Sequence, residues 1–369
     1  MTGLPLVLAF APFPPPVNGQ SVMTETFCAA LAAHARVERL DTADRAEAWR
    51  RPRTLSAHRV GLWARSLTRF GQHVRRDRPD IVYLTPASSH LGLLRDAAAL
   101  ALVPRHVRVV AHVHVGDYGR ILTDVVAGPL ARRTARRFAR ILVPSEFAAA
   151  GIRAALPEAD VVVVANPVPP DMRRSEADVD AARRQRAGQV PHVAFLSNMI
   201  PEKGYRTLAE AAARLRTRGV AFRLTFAGTW LRDEDRAAFV ALVRAHGLAG
   251  QTTVAGPLGR AEVRALLAAT DVLAFPSALP ESFGLVMTEA MEAGCAVVAT
   301  GHAAAAEIVR DRVDGRLVAP GDAVALAAAL ADALAHADRY GRSGRARVTS
   351  AFEPTRLERA FVAAVLGLS

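Results

Sequence analysis

Short runs of β-branched and other apolar residues recur along the chain, each followed by an Ala-, Leu- and Arg-rich stretch of helical length. In the first half they fall at residues 4–10, 81–84, 107–113, 141–144 and 161–165. Strand and helix alternating in this way predict a parallel sheet. The pattern restarts at 193–197 and continues at 223–227, 251–255, 271–275 and 296–300, which predicts a second α/β unit. Between the two, residues 169–189 are polar, carry both signs of charge and lack an apolar run, as a linker would. The boundary is therefore expected near residue 185, with a first domain of 1–185, a linker at about 170–190 and a second domain of 186–351. Residues 352–366 read as an amphipathic helix with Leu357, Ala360, Phe361, Ala364 and Val365 at helical spacing, expected to pack back on the first domain.

Composition supports two cores: the 369 residues are 51% hydrophobic and 22% charged, too long a chain for one ordinary domain. Cys28 and Cys295 lie far apart in sequence and suggest neither a disulfide framework nor a zinc site, which fits a reducing, cytoplasmic compartment. No basic region precedes the first apolar run, so that run reads as a buried strand and not as a signal peptide. The longest apolar stretches fall short of the ~20 residues of a membrane helix.

Charge is uneven. Residues 1–190 carry 27 basic and 17 acidic side chains, net +10, whereas the remainder carries 20 and 18, net +2. That asymmetry suits an anionic partner, whether a membrane surface, a lipid-linked phosphate or a nucleic acid. Nucleic acid is not expected, since aromatics make up only 6% and no recognition motif is found. Residues 131–140 repeat arginine at i and i+4, as a basic helix face would, either simply solvated or facing a phospholipid surface or lipid diphosphate. Of the 47 basic residues 46 are arginine, and Lys203 is the sole lysine.

Ligands of open parallel sheets bind beyond the carboxyl ends of the strands, so the loops after strands hold the candidate chemistry. After the run 271–275, Glu281 lies in a loop and Glu289 inside a helix expected to start near Phe283. The amides of Phe283, Gly284 and Leu285 at that helix start are placed to bind an anion, and the two glutamates to accept hydrogen bonds from two sugars. Taken alone, two glutamates are more often solvated charges. In context, the span Glu281 to Glu289 resembles the Glu-x7-Glu motif of glycosyltransferase family 4, a retaining family of GT-B fold. Residues 271–300 resemble its strand, donor loop, helix and strand, and 303–321 the segment that follows.

Further positions match. The segment Pro12 to Ser21 resembles the family's Gly-rich loop near the diphosphate, with Gly19 in place and Asn18, which tolerates left-handed geometry, in the first glycine position. Phe195 to Gly204 resembles its basic loop, with Lys203 in place and Asn198 where an arginine is usual. Ala111 to Tyr118 resembles the histidine loop beside the donor sugar, with His114 favoured and His112 second. As residues i and i+2 of a strand these two histidines also share a face and make half a metal site, though no acidic or Cys cluster completes it. Ser145 and Asn166 match family positions too, but read more readily as a helix cap and a turn.

The resemblance implies an α/β protein of GT-B architecture, two Rossmann-like domains facing across a cleft. It implies catalytic roles for His114 and Glu281, and donor binding by Gly19, Asn198, Lys203, Ser282, Phe283, Gly284, Leu285 and Glu289. It implies a nucleoside diphosphate sugar as co-substrate, a hexose transferred with retention to an acceptor hydroxyl, lipid-linked or not, and no metal or other cofactor. A basic first domain touching an anionic membrane fits the charge. The alternatives are a nucleotide-sugar epimerase of related fold and a non-catalytic sugar- or nucleic-acid-binding protein. Acceptor-side loops are expected within residues 40–75 and 85–125, where no readable code for the acceptor is found.

Overall fold

The computed structural model describes residues 3–43, 57–87, 89–116 and 118–368; of the expected acceptor-side loops, residues 44–56, 88 and 117 lie outside it. The chain divides into two compact units, Met1–Pro167 with Pro354–Ser369, and Val168–Glu353.

The first unit is built on six strands, β1 (Leu6–Ala11), β2 (Arg36–Asp41), β3 (Ile81–Leu84), β4 (Arg108–His112), β5 (Arg140–Val143) and β6 (Val161–Val163), in the order β2-β1-β3-β4-β5-β6. The second has β7 (His192–Leu196), β8 (Arg223–Ala227), β9 (Thr252–Val254), β10 (Val272–Phe275), β11 (Ala296–Thr300) and β12 (Gly315–Val318), in the order β12-β11-β10-β7-β8-β9. Every strand pairing is parallel. Interior strands such as β1, β3, β10 and β11 are buried at every position, because helices cover both faces.

Two strands are absent from the apolar pattern, β2 (Arg-Val-Glu-Arg-Leu-Asp) and β12 (Gly-Arg-Leu-Val). Both are edge strands, and no residue of β2 is fully buried, so their charged side chains reach water without breaking a core.

The division of the chain falls between Pro167 and Val168, not near residue 185. Residues 170–186 are ordered: a 3-10 turn at Pro170–Met172 and a helix, Glu176–Arg186, opened by a reciprocal capping box between Ser175 and Asp178. That helix buries only Val179 and is tied to the second unit by polar contacts, among them Arg186 to Asp271 (3.1 Å), Arg183 to Asp338 (2.7 Å) and Arg345 to Glu176 (2.9 Å). Such a helix has no apolar stripe to announce it.

The basic segment 131–140 does not form one helix face. The helix Gly128–Ala135 stops short, and β5 begins at Arg140. Four of its five arginines are committed: Arg132 to the Leu122 carbonyl (2.5 Å), Arg136 to Glu158 (3.1 Å), Arg137 to the Val103 carbonyl (3.2 Å) and Arg140 to Asp160 (2.7 Å). No described helix is long and apolar enough to cross a membrane.

The last helix, Pro354–Leu366, packs in the first unit. Phe361 is fully buried there, stacked on Phe27 at 4.1 Å between ring centroids and 5.4 Å from the His112 ring. Phe352 stays with the second unit, edge-on to Phe283 at 5.6 Å. Truncation of Phe361 to alanine leaves an aromatic void in a closed core and is expected to destabilise the first unit by about 3–5 kcal/mol. Urea denaturation of the variant against the parent chain measures it, and a shift below 1 kcal/mol would show that the helix is not anchored there.

Candidate functional site

In the second sheet the chain runs from β7 outward through β8 and β9, then returns to β10 on the other side of β7. Strand order reverses between these neighbours, so the two loops leaving their carboxyl ends diverge and open a crevice, the usual ligand position of such sheets. Lys203 lies in the loop after β7, and Glu281 in the loop after β10.

The two loops touch through Gly204. It adopts φ +81°, and a Cβ there would stand 2.0 Å from the Pro276 carbonyl oxygen, so only glycine lets the loops close on each other. The Ala278 amide donates to the Glu202 carbonyl at 2.8 Å and strengthens the contact. Lys203 Nζ is thereby ion-paired with Glu281 Oε1, which also accepts from Ser277 Oγ at 2.9 Å. Only 16% of the lysine side chain and 20% of the glutamate side chain are exposed, and the ammonium lies 5.8 Å from the Phe275 ring centroid.

The helix that follows is Leu285–Glu292, two residues later than expected, because Gly284 serves as its N-cap at φ +84° while Phe283 is buried against Phe352. Glycine offers no side-chain cap, so the amides of Leu285 and Val286 precede any helical hydrogen bond. Ser282 lies between Glu281 and this turn.

Glu289, on the same helix, is 4% exposed and accepts from Arg260 Nη1 at 2.8 Å. Arg260 in turn sets Nε and Nη2 on the two oxygens of Asp171, at 2.7 and 3.0 Å. Burial pushes the Glu289 carboxyl above its ordinary range, and the guanidinium opposes the rise. The spacing of Glu281 and Glu289 does not reveal this third member, since Arg260 is one arginine among 46. Asn198, half-buried after β7, makes no side-chain hydrogen bond within the described residues.

Two other loops at the carboxyl edge carry buried polar atoms without hydrogen bonds, Trp230 Nε1 after β8 and both ring nitrogens of His302 after β11. Buried polar groups are nearly always satisfied, so these atoms mark places where a ligand would complete the structure. Their positions after strands were the available signal in the sequence.

The first unit holds the other expected residues. Gly19 opens the helix Gly19–Leu31; a Cβ there would meet nothing within 4 Å, so no packing in the unit demands glycine. Asn18 is not left-handed: at φ −148° it is an extended N-cap, accepting from the Ser21 amide at 3.0 Å while its own amide donates to Ser21 Oγ at 3.0 Å. His112 ends β4, fully buried, its Nδ1 2.7 Å from Tyr83 Oη, and the half-buried His114 follows with its ring 4.0 Å away. Burial holds His112 well below the ordinary histidine range and His114 down to about 4, so both are neutral at neutral pH. Ser145 caps the helix Glu146–Ala155, whereas Asn166 Oδ1 is buried without a hydrogen-bond partner. Among the described residues no group of three His, Cys, Asp or Glu is placed to hold a metal ion.

In the first sheet the order reverses between β1 and β3, and there a cavity of about 790 Å³ opens, lined among others by Asn18, Ser21, Thr85, Ser89 and Arg95.

The sequence matches the family described as Glycosyltransferase Family 4 over residues 17–172 and that described as Glycosyl transferases group 1 over 178–347. It is 30% identical over 285 residues to the GDP-mannose-dependent alpha-(1-6)-phosphatidylinositol monomannoside mannosyltransferase of Mycobacterium tuberculosis, covering 72% of this chain and 70% of that protein. It is 34% identical over 181 residues to the glycogen synthase of the same species, covering 47% of this chain but only 41% of that protein. The structure of HepE from Anabaena, solved with UDP and glucose, superposes with a TM-score of 0.74 over 99% of this chain and all of that one at 18% identity, which establishes the GT-B fold.

Replacing Arg260 by methionine leaves the burial of Glu289 unopposed. The native state then keeps a proton that the unfolded chain, with a glutamate pKa of about 4.3, has released, so stability falls as pH rises above that value. The variant is expected to lose about 3–5 kcal/mol at pH 7, to recover part of it at pH 5, and to lose that slope when Glu289→Gln is added. Thermal melts across pH test this; parallel profiles for R260M and the parent chain would contradict it.

Proposed function

Because this chain belongs to the glycosyltransferase family of group 1 and family 4 domains, we propose that it transfers a hexose from a nucleoside diphosphate sugar to an acceptor hydroxyl, with retention at the anomeric carbon and without a metal ion. The observation that carries this reading is the strand-order reversal of the second unit, where the one lysine, a mostly buried glutamate and an uncapped helix start lie in the loops that leave the two neighbouring strands.

In this reading the diphosphate lies at the amides of Leu285 and Val286, with Lys203 as the point charge that meets the negative charge developing on the leaving group. Glu281 exchanges its contact with Lys203 for the hexose hydroxyls, with Ser277 still holding its carboxylate in place. Glu289 accepts from the ribose hydroxyls, with Arg260 and Asp171 fixing its orientation. Asn198 supplies a neutral donor where the family usually carries a second cation. Gly19 allows close approach of a phosphate to the backbone, and neutral His114 offers a hydrogen bond beside the hexose. The bond from the anomeric carbon to the phosphate oxygen breaks, and the acceptor oxygen bonds on the same face. The departing phosphate takes the acceptor proton, so no protein nucleophile is needed. A role in glycan, glycolipid or glycoside synthesis follows from that reaction.

Screening nucleotide sugars for thermal stabilisation identifies the donor; at 100 times its Kd the stabilisation is about 2.7 kcal/mol. Lys203→Ala and Glu289→Gln are each expected to weaken that donor about 10- to 100-fold by calorimetry, the range of a hydrogen bond to a charged group. Product NMR reports the anomeric configuration, and chelation with EDTA is expected to leave turnover intact. No response to any nucleotide sugar, or unchanged affinity in both variants, would defeat the proposal.

A further inference from the structure

Beside the cavity at the β1/β3 reversal, whose one arginine is Arg95 among the described lining residues, lies a second one of about 520 Å³, and the two share Thr42, Ala43, Trp63 and Arg95 in their walls. The second is basic: Arg39, Arg65, Arg69, Arg95 and His73 line it, with Asp41 the acid among its described lining residues. Most of these groups are already engaged. Arg39 pairs with Glu25 at 2.7 Å, and His73 with Asp77 at 2.8 Å. Arg95 sets Nε and Nη2 on Asp96 Oδ1, at 2.9 and 2.6 Å, which leaves Nη1 without a hydrogen bond in the described residues. Asp41 Oδ1 accepts from the amides of Phe13 at 3.1 Å and Ala43 at 2.8 Å.

Arg65 and Arg69 differ. They stand one turn apart on the helix Ala57–Asp77, and neither forms an ion pair or hydrogen bond within the described residues. Two arginines four residues apart on a free helix are ordinarily a solvated face. Here both form the wall of a concave site that adjoins a larger one lined by hydroxyls and amides. Side chains at i and i+4 lie about 6 Å apart, a spacing that lets two guanidinium forks close on one tetrahedral oxyanion. The unit that holds them carries 24 basic against 14 acidic residues, so the long-range field also draws an anion to it.

We propose that the second cavity is a phosphate subsite, and that the acceptor of the transfer reaction carries a phosphate group. The acceptor's hydroxyl-bearing part occupies the larger cavity, lined mostly by uncharged residues, while its phosphate lies between Arg65 and Arg69, with Arg95 Nη1 at the join. This assignment rests on the glycosyltransferase reading above and adds to it the class of acceptor. A cationic acceptor is disfavoured by the same two arginines, which pair with no acid among the described residues.

The test uses the full chain and three probes of one ring and different charge: glucose 6-phosphate, glucose and glucosamine. Calorimetry is expected to show glucose 6-phosphate binding at least 10-fold more tightly than glucose, glucosamine weakest, and the preference shrinking as salt is raised. The double variant Arg65→Gln/Arg69→Gln abolishes the preference, and Arg65→Lys/Arg69→Lys keeps part of it. A parallel arm compares vesicles of phosphatidylinositol, phosphatidylglycerol and phosphatidylcholine. Phosphatidylinositol-selective binding lost in the double glutamine variant assigns the phosphate to a lipid headgroup, and a preference confined to the sugar arm assigns it to a soluble sugar phosphate. Equal affinity for all three sugars together with equal binding to both anionic vesicles, no binding in either arm, or a preference that survives the glutamine variant overturns the subsite. Stabilisation by nucleotide sugars, read on the same proteins, separates the two readings. If it persists while phosphate shows no preference, the subsite alone falls; if no nucleotide sugar stabilises the parent chain, the transferase reading falls with it.

Discussion

The contact between Gly204 and the Pro276 carbonyl governs the geometry of the second unit's crevice. Two loops leaving adjacent strands would ordinarily be held apart by side chains. A positive-φ glycine lets them meet instead, and the meeting brings Lys203 and Glu281 into an ion pair that neither loop could form alone. The ammonium and carboxylate are both mostly withdrawn from water, so each is the other's main polar partner. Ser277, held from the other side by Thr300 Oγ1 donating to its carbonyl at 2.5 Å, fixes the carboxylate's second contact.

Charge compensation repeats at the far end of the same segment. Glu289 is more deeply buried than Glu281, and one cation would serve it poorly if that cation were free to leave. Asp171 prevents this by taking the other edge of the Arg260 fork, so a chain of three hydrogen-bonded groups runs from the surface to the buried carboxyl. Each glutamate of the pair thus meets a different cation, a lysine for the outer one and an arginine for the inner one. The first unit works differently. Its buried histidines are neutral, and Arg65 and Arg69, which pair with no acid among the described residues, stand in the wall of a cavity.

The legible parts of the fold were those where burial imposes a pattern. Interior strands stand between two layers of helix, so they must be continuous apolar runs, and all eight of them were visible as such, together with the edge strands β6 and β9. The edge strands β2 and β12 and the helix Glu176–Arg186 are held by backbone pairing, a capping box and ion pairs, which leave no apolar period; hence the boundary expected near 185 lies at 167. Arginine was the weakest signal of all. Its abundance hid both Arg260 and the Arg65–Arg69 pair, and made the segment 131–140 look like a surface when most of its guanidiniums are tied to carbonyls and carboxylates.

By itself the sequence determined the class of architecture, the family, and the loops in which Lys203, Glu281, Gly284 and Glu289 would lie, because strand period and motif spacing are local properties of a chain. Only the tertiary structure decided which of these groups touch. Ion pairing between Lys203 and Glu281, the capture of Glu289 by Arg260, and the gathering of arginines around one cavity join residues tens of positions apart. Such encounters depend on strand order and on the space left by a missing Cβ, neither of which is written in any single segment.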